Sequence, residues 1–436
     1  MTLTIPVGPE ARRLRFLFET KSGATPASGV EEYWDGDINW VTPEDLGKLS
    51  DRYVRETRRR ITEEGYKNSG VGLAPPGSIV LSKRAPIGQT AILGVPSTCN
   101  QGCFLLTKLD GVDERFYYYA MIHLRPALEA LGRGSTFMEL SADDLRSVPM
   151  PFPSEANQHL IANYLDRETA RIDGLIAEKE RMLALLEEKR AALISRVVTR
   201  GLDPNAPLKP SGQEWLGEIP AHWGLQRLKQ LAEVRGGLTL GKQYSDELLE
   251  YPYLRVANVQ DGYLKLDDIL TVEVPVSEAA SNLLAYGDVL MNEGGDIDKL
   301  GRGCVWRDEI APCLHQNHVF AVRPHSVDSD WLALWTSTLQ AKRYFESRAK
   351  RSTNLASISG SNIKELPVPL PPVSEQLAIQ KFLAVRHLHL ETLRGELRDS
   401  LRLLTERRAA LITATVTGQI DVGGNKLNEG GHHGTR

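Results

Sequence analysis

The chain has 436 residues, of which 41% are hydrophobic and 25% are charged, and these are ordinary values for a globular protein with large cores. No apolar run reaches the ~18 residues of a membrane span, and the first residues lack the apolar core of a signal peptide, so we expect a cytoplasmic protein without a membrane partner. Four cysteines are too few for a disulfide framework in a chain of this length. The formal net charge of −4 weakly disfavours DNA binding, so a DNA-binding face would require local clustering of basic residues.

Residues 1–152 are predicted to form a first domain of the α+β class. Short apolar and β-branched runs, such as 77–83 and 88–95, alternate with glycine and proline, which is typical of short strands and turns. A helical stretch at 114–131 interrupts the strands, and an α+β domain is the expected result.

Residues 153–202 are predicted to form a long helical spacer. The segment follows closely spaced prolines that fix an extended approach, and it is rich in Leu, Ala, Glu, Lys and Arg. Residues 203–221 contain several prolines and glycines and are predicted to be a linker. The same order then returns, with a second domain at 222–369, a second helical spacer at 370–420, and a polar, glycine-rich tail at 421–436 that we expect to be disordered.

The two halves of the chain are related by duplication. The segment EEKRAALISRVVTRGLD at 187–203 returns as TERRAALITATVTGQID at 405–421. The offset of 218 residues holds without a gap from Pro149/Pro367 to Asp203/Asp421 (367 − 149 and 421 − 203). A repeat of this length is a domain-sized module rather than a solenoid unit. Two such modules suggest an object with a pseudo-twofold axis, for which double-stranded DNA is a ligand of matching symmetry.

The two predicted helices carry a heptad pattern of apolar residues. A seam kept over several heptads predicts coiled-coil pairing, and the natural partner of each helix is the other copy, packed antiparallel. The predicted pairing positions are Leu165, Ile172, Leu186 and Leu193 in the first helix, and Leu383, Leu390, Leu397, Leu404 and Leu411 in the second.

No motif in the sequence indicates catalysis. The segment 236–243, GGLTLGKQ, resembles a phosphate-binding loop, but Gln243 stands where a Ser or Thr would hold Mg²⁺. A cluster of Cys304, Cys313, His315 and His318 has a spacing that matches no usual zinc finger, and we predict no metal site. The chain is therefore expected to bind rather than to catalyse.

Loops at matched places in the two domains carry groups that suit DNA. Arg pairs with guanine, Asn and Gln pair with adenine, and Ser, Thr and Lys suit phosphates, although each residue alone could equally be a solvated surface side chain. The sequence places Asn100-Gln101-Gly102 opposite His315-Gln316-Asn317. In the first domain the candidates are Arg55, Arg58, Arg59, Lys83, Arg84, Asn100, Gln101, Arg133, Ser135 and Thr136. In the second domain they are Lys242, Lys299, Arg302, His315, Gln316, Asn317, Lys350, Arg351, Ser352 and Thr353.

Four segments resemble a known family, the specificity subunits of Type I restriction–modification systems. They are WLGEIPAHWGLQRLKQL at 215–231, GDVLMNEGGDIDKLGRG at 287–303, LPVPLPPVSEQLAIQKFL at 366–383, and the RRAALITATVTGQID ending. The resemblance covers about residues 1–421, and the two-copy layout makes it specific. The first spacer departs from the usual P-P-x-x-E-Q pattern, although Pro153 and Gln158 keep their places.

The resemblance implies two tandem, pseudo-twofold-related α/β target recognition domains, separated by a pair of long antiparallel coiled-coil helices. Each domain would read one half of a bipartite, asymmetric DNA target, and the helices would set the unread gap. Two modification subunits would supply S-adenosylmethionine and adenine methylation, and two restriction subunits would supply ATP-driven translocation and cleavage with Mg. None of these cofactors, and none of this chemistry, would belong to this chain.

Two other functions stay open at the level of sequence. One is a scaffold that binds proteins through its leucine seam and carries degenerate DNA domains. The other is a phosphotransferase or nuclease built on the loop at 236–243, which the missing Ser or Thr disfavours.

Overall fold

The computed structural model describes residues 10–84, 86–134, 138–295, 300–352 and 355–422. The chain divides into two compact units, which we call the first unit (residues 1–180 with 398–436) and the second unit (residues 181–397). Most of the tail that was predicted to be disordered, residues 423–436, lies outside the described residues. Among the described residues, no helix has the length and apolar character that a membrane crossing requires.

The first unit contains a five-stranded sheet of order β2-β9-β6-β7-β4, a three-stranded sheet β5-β3-β8, and the pair β1-β10. Its strands are β1 (Ala11–Arg13), β2 (Phe18–Ser22), β3 (Trp34–Val41), β4 (Tyr53–Val54), β5 (Arg60–Ile61), β6 (Ile79–Ser82), β7 (Thr90–Leu93), β8 (Ser97–Cys99), β9 (Cys103–Lys108) and β10 (Pro149–Pro151). Its shorter helices are α1 (Pro43–Lys48), α2 (Glu63–Ser69), α3 (Glu114–Leu131) and α4 (Ala142–Ser147).

The five-stranded sheet is buried on both faces, which explains why its central strand reads as a continuous apolar run. Ile79 and Leu81 of β6 pack on the face that α3 covers, whereas Val80 packs on the opposite face. Successive side chains of a strand point to opposite faces, so a strand covered on both sides needs apolar residues at every position. Helix α3 begins at Asp113, whose carboxylate accepts the N–H groups of Arg115 and Phe116.

Two long helices follow the two domains. Helix α5 spans Glu155–Arg200 and crosses from the first unit into the second, whereas the later helix α10, at Val373–Val416, crosses from the second unit into the first. Three prolines before α5 (149, 151 and 153) and four before α10 (367, 369, 371 and 372) keep the chain extended until each helix begins. Gly174 and Gly395 lie inside these helices without breaking them.

The second unit contains a four-stranded sheet β14-β21-β17-β19, the three-stranded sheets β16-β15-β20 and β18-β23-β22, and the pairs β13-β24 and β11-β12. Its strands are β11 (Leu208–Pro210), β12 (Glu218–Pro220), β13 (Gly224–Arg227), β14 (Ala232–Arg235), β15 (Leu249–Leu254), β16 (Leu270–Val274), β17 (Val289–Asn292), β18 (Gly294–Gly295), β19 (Gly303–Val305), β20 (Leu314–His315), β21 (Val319–Pro324), β22 (Lys350–Arg351), β23 (Ala356–Ser357) and β24 (Pro367–Leu370). Its shorter helices are α6 (Val276–Asn282), α7 (Ser329–Thr336), α8 (Leu339–Arg348) and α9 (Gly360–Lys364).

The two units share one frame. The order β2-β9-β6-β7 of the first unit corresponds to β14-β21-β17-β19 of the second, and the parallel pair β3-β8 corresponds to β15-β20. Equivalent helices also begin with the same caps, because Ser141 and Ser359 cap α4 and α9, and Asp113 and Asp328 cap α3 and α7. The predicted fold class, α+β with two tandem related domains and long helices, is confirmed.

In the first unit the two long helices pack antiparallel. Arg408 of α10 forms two hydrogen bonds to the carboxylate of Asp173 in α5, at 2.7 and 3.2 Å. Ile412 and Val416 then enter the domain core, where they join Ile161 and other buried residues of α3 and α5. The end of the second helix is therefore part of the first domain's core.

The second unit shows the equivalent arrangement, with the roles of the two long helices exchanged. Arg394 of α10 pairs with Glu187 of α5 at 2.8 Å, and Val197 and Val198 of α5 enter the core of the second domain. From Asp173 to Glu187 one helix advances by 14 residues, and from Arg408 to Arg394 the other retreats by 14 (187 − 173 and 408 − 394). The same antiparallel register therefore holds in both units.

All of the predicted pairing residues are covered in the structure. Four are half-buried, namely Leu186, Leu193, Leu404 and Leu411. The others are buried, namely Leu165, Ile172, Leu383, Leu390, Leu397.

We predict that Ile412→Ala destabilises the first unit, although the residue belongs to the C-terminal helix. Ile412 is 1% exposed, and truncation of a buried isoleucine costs about 2–5 kcal/mol of unfolding free energy. Hydrogen exchange should show lost protection in α3, whereas helices of the second unit should keep theirs. Leu403→Ala is the matched control, because Leu403 is 55% exposed on the same helix. Equal protection of α3 in both variants would contradict this packing.

Candidate nucleic-acid interface

Three predicted basic residues of the first unit lie beside Glu139: two bind its carboxylate, whereas Arg133 bonds to its backbone and pairs through its guanidinium with Asp144 at 3.1 Å. Lys83 and Arg84 follow strand β6 and form ion pairs with Glu139 at 3.0 and 2.9 Å. Arg133 lies opposite Glu139 in a short antiparallel bridge, in which both N–H···O bonds measure 3.0 Å. The fold therefore gathers three cationic side chains around two adjacent loops.

Glu139 is a site residue that sequence reasoning misses, because a lone glutamate in a loop is usually a solvated side chain. Burial opposes its ionisation, but hydrogen bonds from Lys83 and Arg84 outweigh burial and hold the pKa of Glu139 below its ordinary value. The carboxylate is thus ionised at neutral pH and holds both cations in place. Its position two residues before the helix cap Ser141 is the sequence signal that could have found it.

The turn that carries Asn100 and Gln101 lies beside this cluster, since the N–H of Lys83 donates to the carbonyl of Gly102 at 2.8 Å. Asn100 is half-buried, and its side-chain oxygen accepts the N–H of Gly102 at 2.9 Å. Gln101 is exposed and contacts the hydroxyl of Thr25. Gln101 is therefore the residue of this turn that can offer its amide to a ligand.

A glycine fixes the corresponding strand end in each unit. A Cβ on Gly23 would lie 2.4 Å from the carbonyl oxygen of Cys99, and a Cβ on Gly237 would lie 2.2 Å from that of His315. Only glycine allows the backbones to approach so closely. The residue after each glycine fixes the equivalence: the N–H of Ala24 donates to the carbonyl of Cys99 at 3.1 Å, and that of Leu238 to the carbonyl of His315 at 2.7 Å, so Cys99 and His315 occupy equivalent places.

This equivalence corrects the sequence-based pairing of the turns by one residue. Gln316, Asn317 and His318 correspond to Asn100, Gln101 and Gly102. The N–H groups of Gln316 and Asn100 donate to equivalent strands. The N–H of Glu293 donates to the carbonyl of His318, just as the N–H of Lys83 donates to the carbonyl of Gly102. Gln316 and Asn317 are half-buried, whereas His318 is exposed and its Nδ1 lies 2.6 Å from Glu293.

His315 was predicted to contact DNA, and the structure shows that it is wrongly placed for this role. Its side chain is fully buried, and its Nδ1 lies 2.6 Å from the carbonyl oxygen of Val319. Burial lowers the pKa of His315, so the imidazole is neutral at physiological pH. Alternate residues of a strand point in opposite directions, and a shift of one residue exchanges the inner side chain for the outer one.

Two predicted basic residues of the second unit, Lys350 and Arg351, lie at the place that corresponds to Arg133 of the first unit. Lys350 and Arg351 form β22, which pairs with Ser357 and Ala356 of β23, and β23 pairs in turn with β18. Both basic residues are exposed, and neither has an ionic partner among the described residues. Ser352 is exposed as well, and its backbone and hydroxyl close the turn onto Leu355.

The three predicted arginines after β4 have mixed surroundings. Arg55 pairs with Asp51 at 2.6 Å, and Arg58 pairs with Glu44 at 3.2 Å. Arg59 lies 3.7 Å from the ring centre of Trp34, which holds its guanidinium by a cation–π contact. The structure does not bring these residues into the Glu139 cluster.

Lys242 and Arg302 are also held by neighbours. Lys242 donates to Glu278 at 2.9 Å, and this hydrogen bond raises the pKa of Lys242. Arg302 is half-buried and donates to the side-chain oxygen of Gln260 at 2.9 Å. No helix follows Lys242 before α6 in this fully described stretch, so the loop lacks the strand–loop–helix context of a phosphate-binding loop.

Four predicted contacts lie outside the described residues, and their places are not assigned. They are Ser135, Thr136, Lys299 and Thr353.

The cysteine and histidine cluster forms no constellation of metal ligands in the described part of the chain. Burial raises the pKa values of Cys304 and Cys313 to about 12, so both thiols stay protonated at neutral pH. Cys99, also buried, behaves in the same way. These cysteines pack as small apolar residues.

Two related α+β domains, each completed by both long helices, define a duplicated protein with two similar but non-identical loop surfaces. The family described as the Type I restriction modification DNA specificity domain matches residues 6–181 and again residues 220–391. These matches cover more than half of the sequence, and the chain therefore belongs to this family. The family resemblance inferred from the four segments is confirmed.

Individual relatives agree with this assignment. The chain is 29% identical over 305 residues to the Type I restriction enzyme MjaIX specificity subunit of Methanocaldococcus jannaschii, covering 68% of this chain and 69% of that protein. It is 22% identical over 364 residues to the Type I restriction enzyme EcoKI specificity subunit of Escherichia coli, covering 79% and 75%.

Solved structures share the fold at low sequence identity. One, from work on complex assembly and conformational transition of the type I R-M system, has a TM-score of 0.69 and 15% identity, with 95% of this chain and 99% of that chain covered. The HsdS subunit of Thermoanaerobacter tengcongensis has a TM-score of 0.51 and 14% identity, with 95% and 98% covered.

We predict that Gly237→Ala destabilises the second unit. The new Cβ would overlap the carbonyl oxygen of His315, and relief of such overlap costs about 1–3 kcal/mol. Calorimetry should show a lower unfolding temperature. Gly236→Ala is the matched control, because no atom lies within 4 Å of its Cβ, and it should change stability by less than about 0.5 kcal/mol. Equal unfolding temperatures for the two variants would contradict the close approach.

Proposed function

We propose that this chain is the DNA specificity subunit of a Type I restriction–modification complex and that its two domains read the two halves of a bipartite, asymmetric target. One observation carries the proposal: the same loop frame occurs in both units with different side chains. Lys83, Gln101 and Gly102 in the first unit correspond to Glu293, Asn317 and His318 in the second. Because the frame is shared and the chemistry differs, the two domains suit two different short sequences.

The acidic net charge is compatible with this proposal because the basic groups are local. Arg133, Lys350 and Arg351 are exposed on loops at equivalent places of the two frames. Exposed cations of this kind suit phosphates, which position a protein on DNA, while amide side chains such as those of Gln101 and Asn317 suit base edges.

We further propose that the complex contains two modification and two restriction subunits. The pair Leu185 and Leu403 supports two copies of one partner, since these leucines are equivalent under the 218-residue offset (403 − 185) and are 62% and 55% exposed. Exposed apolar side chains at equivalent places suit identical partner surfaces. In this proposal the chain is non-catalytic, and S-adenosylmethionine, ATP and Mg belong to the partner subunits.

We predict that Gln101→Ala and Asn317→Ala each alter one half-site only. Loss of a bidentate amide–base contact costs about 1–3 kcal/mol of discrimination, so the recognised sequence should relax at one position in one half. Mapping of methylated adenines in cells that carry each variant with its partner subunits measures this change.

The control for this experiment is Asn205→Ala, because Asn205 is an exposed asparagine of the linker. It should leave the methylated sequence unchanged. A scaffold with degenerate DNA domains would give the same methylation pattern for all three variants. A change in both half-sites from one substitution would contradict separate readers.

We predict that the helix pair sets the gap between the half-sites. The test inserts seven residues after Lys179 and seven before Arg402. These two positions face each other in the pairing that joins Asp173 to Arg408, so the antiparallel register is kept on both sides of the insertion. The insertion adds about 10 Å of helix, and the unread gap should grow by about three base pairs. Methylated-adenine mapping again gives the measurement, and an unchanged gap would refute the ruler. A seven-residue insertion in the linker after Asn205 is the control and should leave the gap as it is.

A further inference from the structure

The second unit contains a groove of about 710 Å³. Leu264, Ala333, Leu334 and Leu383 form apolar walls, and Arg190 lies at the rim. This volume falls within the range of sites that bind small molecules or peptide side chains. The DNA-recognition loops described above use none of these residues.

The equivalent place in the first unit is filled by tyrosines. Helices α3 and α7 follow the equivalent caps Asp113 and Asp328, and the count of residues from each cap makes Tyr118 correspond to Ala333 and Tyr119 to Leu334. The burial pattern along the two helices agrees, except that Tyr119 is buried whereas Leu334 is half-exposed. The second unit thus lacks two aromatic rings at this place.

A polar network surrounds these two tyrosines, and we call the tyrosines together with this network the plug of the first unit. Arg52 lies 5.8 and 5.5 Å from the ring centres of Tyr118 and Tyr119, and it forms an ion pair with Asp166. The hydroxyl of Tyr119 donates to the same carboxylate at 2.9 Å. In the second unit the residue equivalent to Asp166 under the 218-residue offset is Ala384, which lines the groove (384 − 166).

A strand is missing as well. In the first unit β4 pairs with β7, and the N–H of Ile92 donates to the carbonyl of Arg52 at 2.8 Å. In the second unit the equivalent strand β19 ends its sheet among the described residues, and its three residues line the groove. The N–H groups of Trp306 and Leu93 donate to equivalent places of the preceding strand. Val305 and Ile92, the residues just before them, therefore correspond. On the outer edge of β19 the carbonyl of Gly303 accepts the N–H of Gly262 at 2.9 Å, which leaves Val305 as the open position of this edge among the described residues. A strand edge that is open at such a position can accept an added strand.

One arginine of the groove, Arg190, has a longer ionic contact than its counterpart, since its guanidinium lies 3.7 Å from the carboxylate of Glu187. Arg408 of the first unit binds Asp173 through two hydrogen bonds, and its equivalent in the second unit is Arg190 (408 − 218). Glu391, the equivalent of Asp173, accepts instead from Arg394 at 2.5 Å. The Nε of Arg190 is buried without a hydrogen-bond partner among the described residues. A buried donor of this kind favours a ligand that brings an acceptor.

We propose that this groove is a peptide-binding site, in which an extended segment of a partner polypeptide adds a strand to β19 and places an aromatic and an acidic side chain beside Arg190. Each part of this chemistry is what the first unit has at the same place and the second unit lacks: a fifth strand, aromatic rings, and a carboxylate. Since the first unit fills its own site, one peptide binds per chain. The site is independent of DNA recognition.

The test uses the full chain and a fluorescein-labelled peptide of residues 49–56, LSDRYVRE, which contains the fifth strand β4 of the first unit with an acidic residue, Asp51, before it. We expect saturable binding by fluorescence anisotropy with one site per chain. Ala333→Tyr and Arg190→Gln should each weaken binding at least tenfold, which is about 1.4 kcal/mol. A peptide with Ala for Tyr and Asn for Asp should bind at least tenfold more weakly than the original.

Leu388→Tyr is the matched control, because it adds the same side chain at a 71% exposed position of α10 outside the groove, and it should bind as the unaltered chain does. Circular dichroism of each variant verifies folding. No saturable binding up to about 1 mM would overturn the proposal. So would binding that both groove variants leave unchanged. Since the assay contains no DNA, its failure leaves the proposed DNA recognition intact.

Discussion

The structure depends on the burial of each long helix end in the domain of the other half. Ile412 and Val416 are core residues of the first unit, and Val197 and Val198 are core residues of the second. A fully buried Ile or Val contributes about 1.5–3 kcal/mol, so these residues are a substantial part of a domain's net stability. Neither domain can keep its core without sequence from the other half. Each domain therefore completes its core with residues from the other half of the sequence, which links the two halves of the duplicated chain.

Electrostatics in the reading loops follows from local pairing rather than from net charge. Glu139 gathers Lys83 and Arg84 in the first unit, whereas Glu293 contacts the imidazole of His318 in the second. A carboxylate that fixes cations reduces their conformational freedom and so lowers the entropy lost on binding. The acidic residues that make the chain negative overall are thus partly the residues that hold its basic groups. A DNA-binding prediction based on net charge alone would have excluded the proposed function.

The sequence predicts what is periodic and leaves open what depends on single contacts. The heptad seam, the antiparallel pairing and the α+β domains follow from spacing, because Leu165 and Leu383 must face a partner wherever the helices lie. The turn equivalence was wrong by one residue, since His315 and Gln316 are both polar and only the close approach at Gly237 fixes the strand's register. Glu139 has only its place two residues before the cap Ser141 as a signal, and that place does not show which cations the carboxylate binds. The groove could not be predicted because it results from side chains that the second unit does not have.

Duplication followed by divergence accounts for where the two units differ. Positions that hold the frame have changed little: Asp113 and Asp328 cap equivalent helices, and Gly23 and Gly237 make the same close approach. Positions outside the frame are free to change, and the loss of a plug is tolerated only if the cavity walls stay apolar or gain a ligand. The groove beside Arg190 has a buried unpaired donor, which an empty apolar cavity would not retain without cost. A ligand that brings an acceptor to the Nε of Arg190 would remove this cost, which is the physical reason that a carboxylate suits the groove.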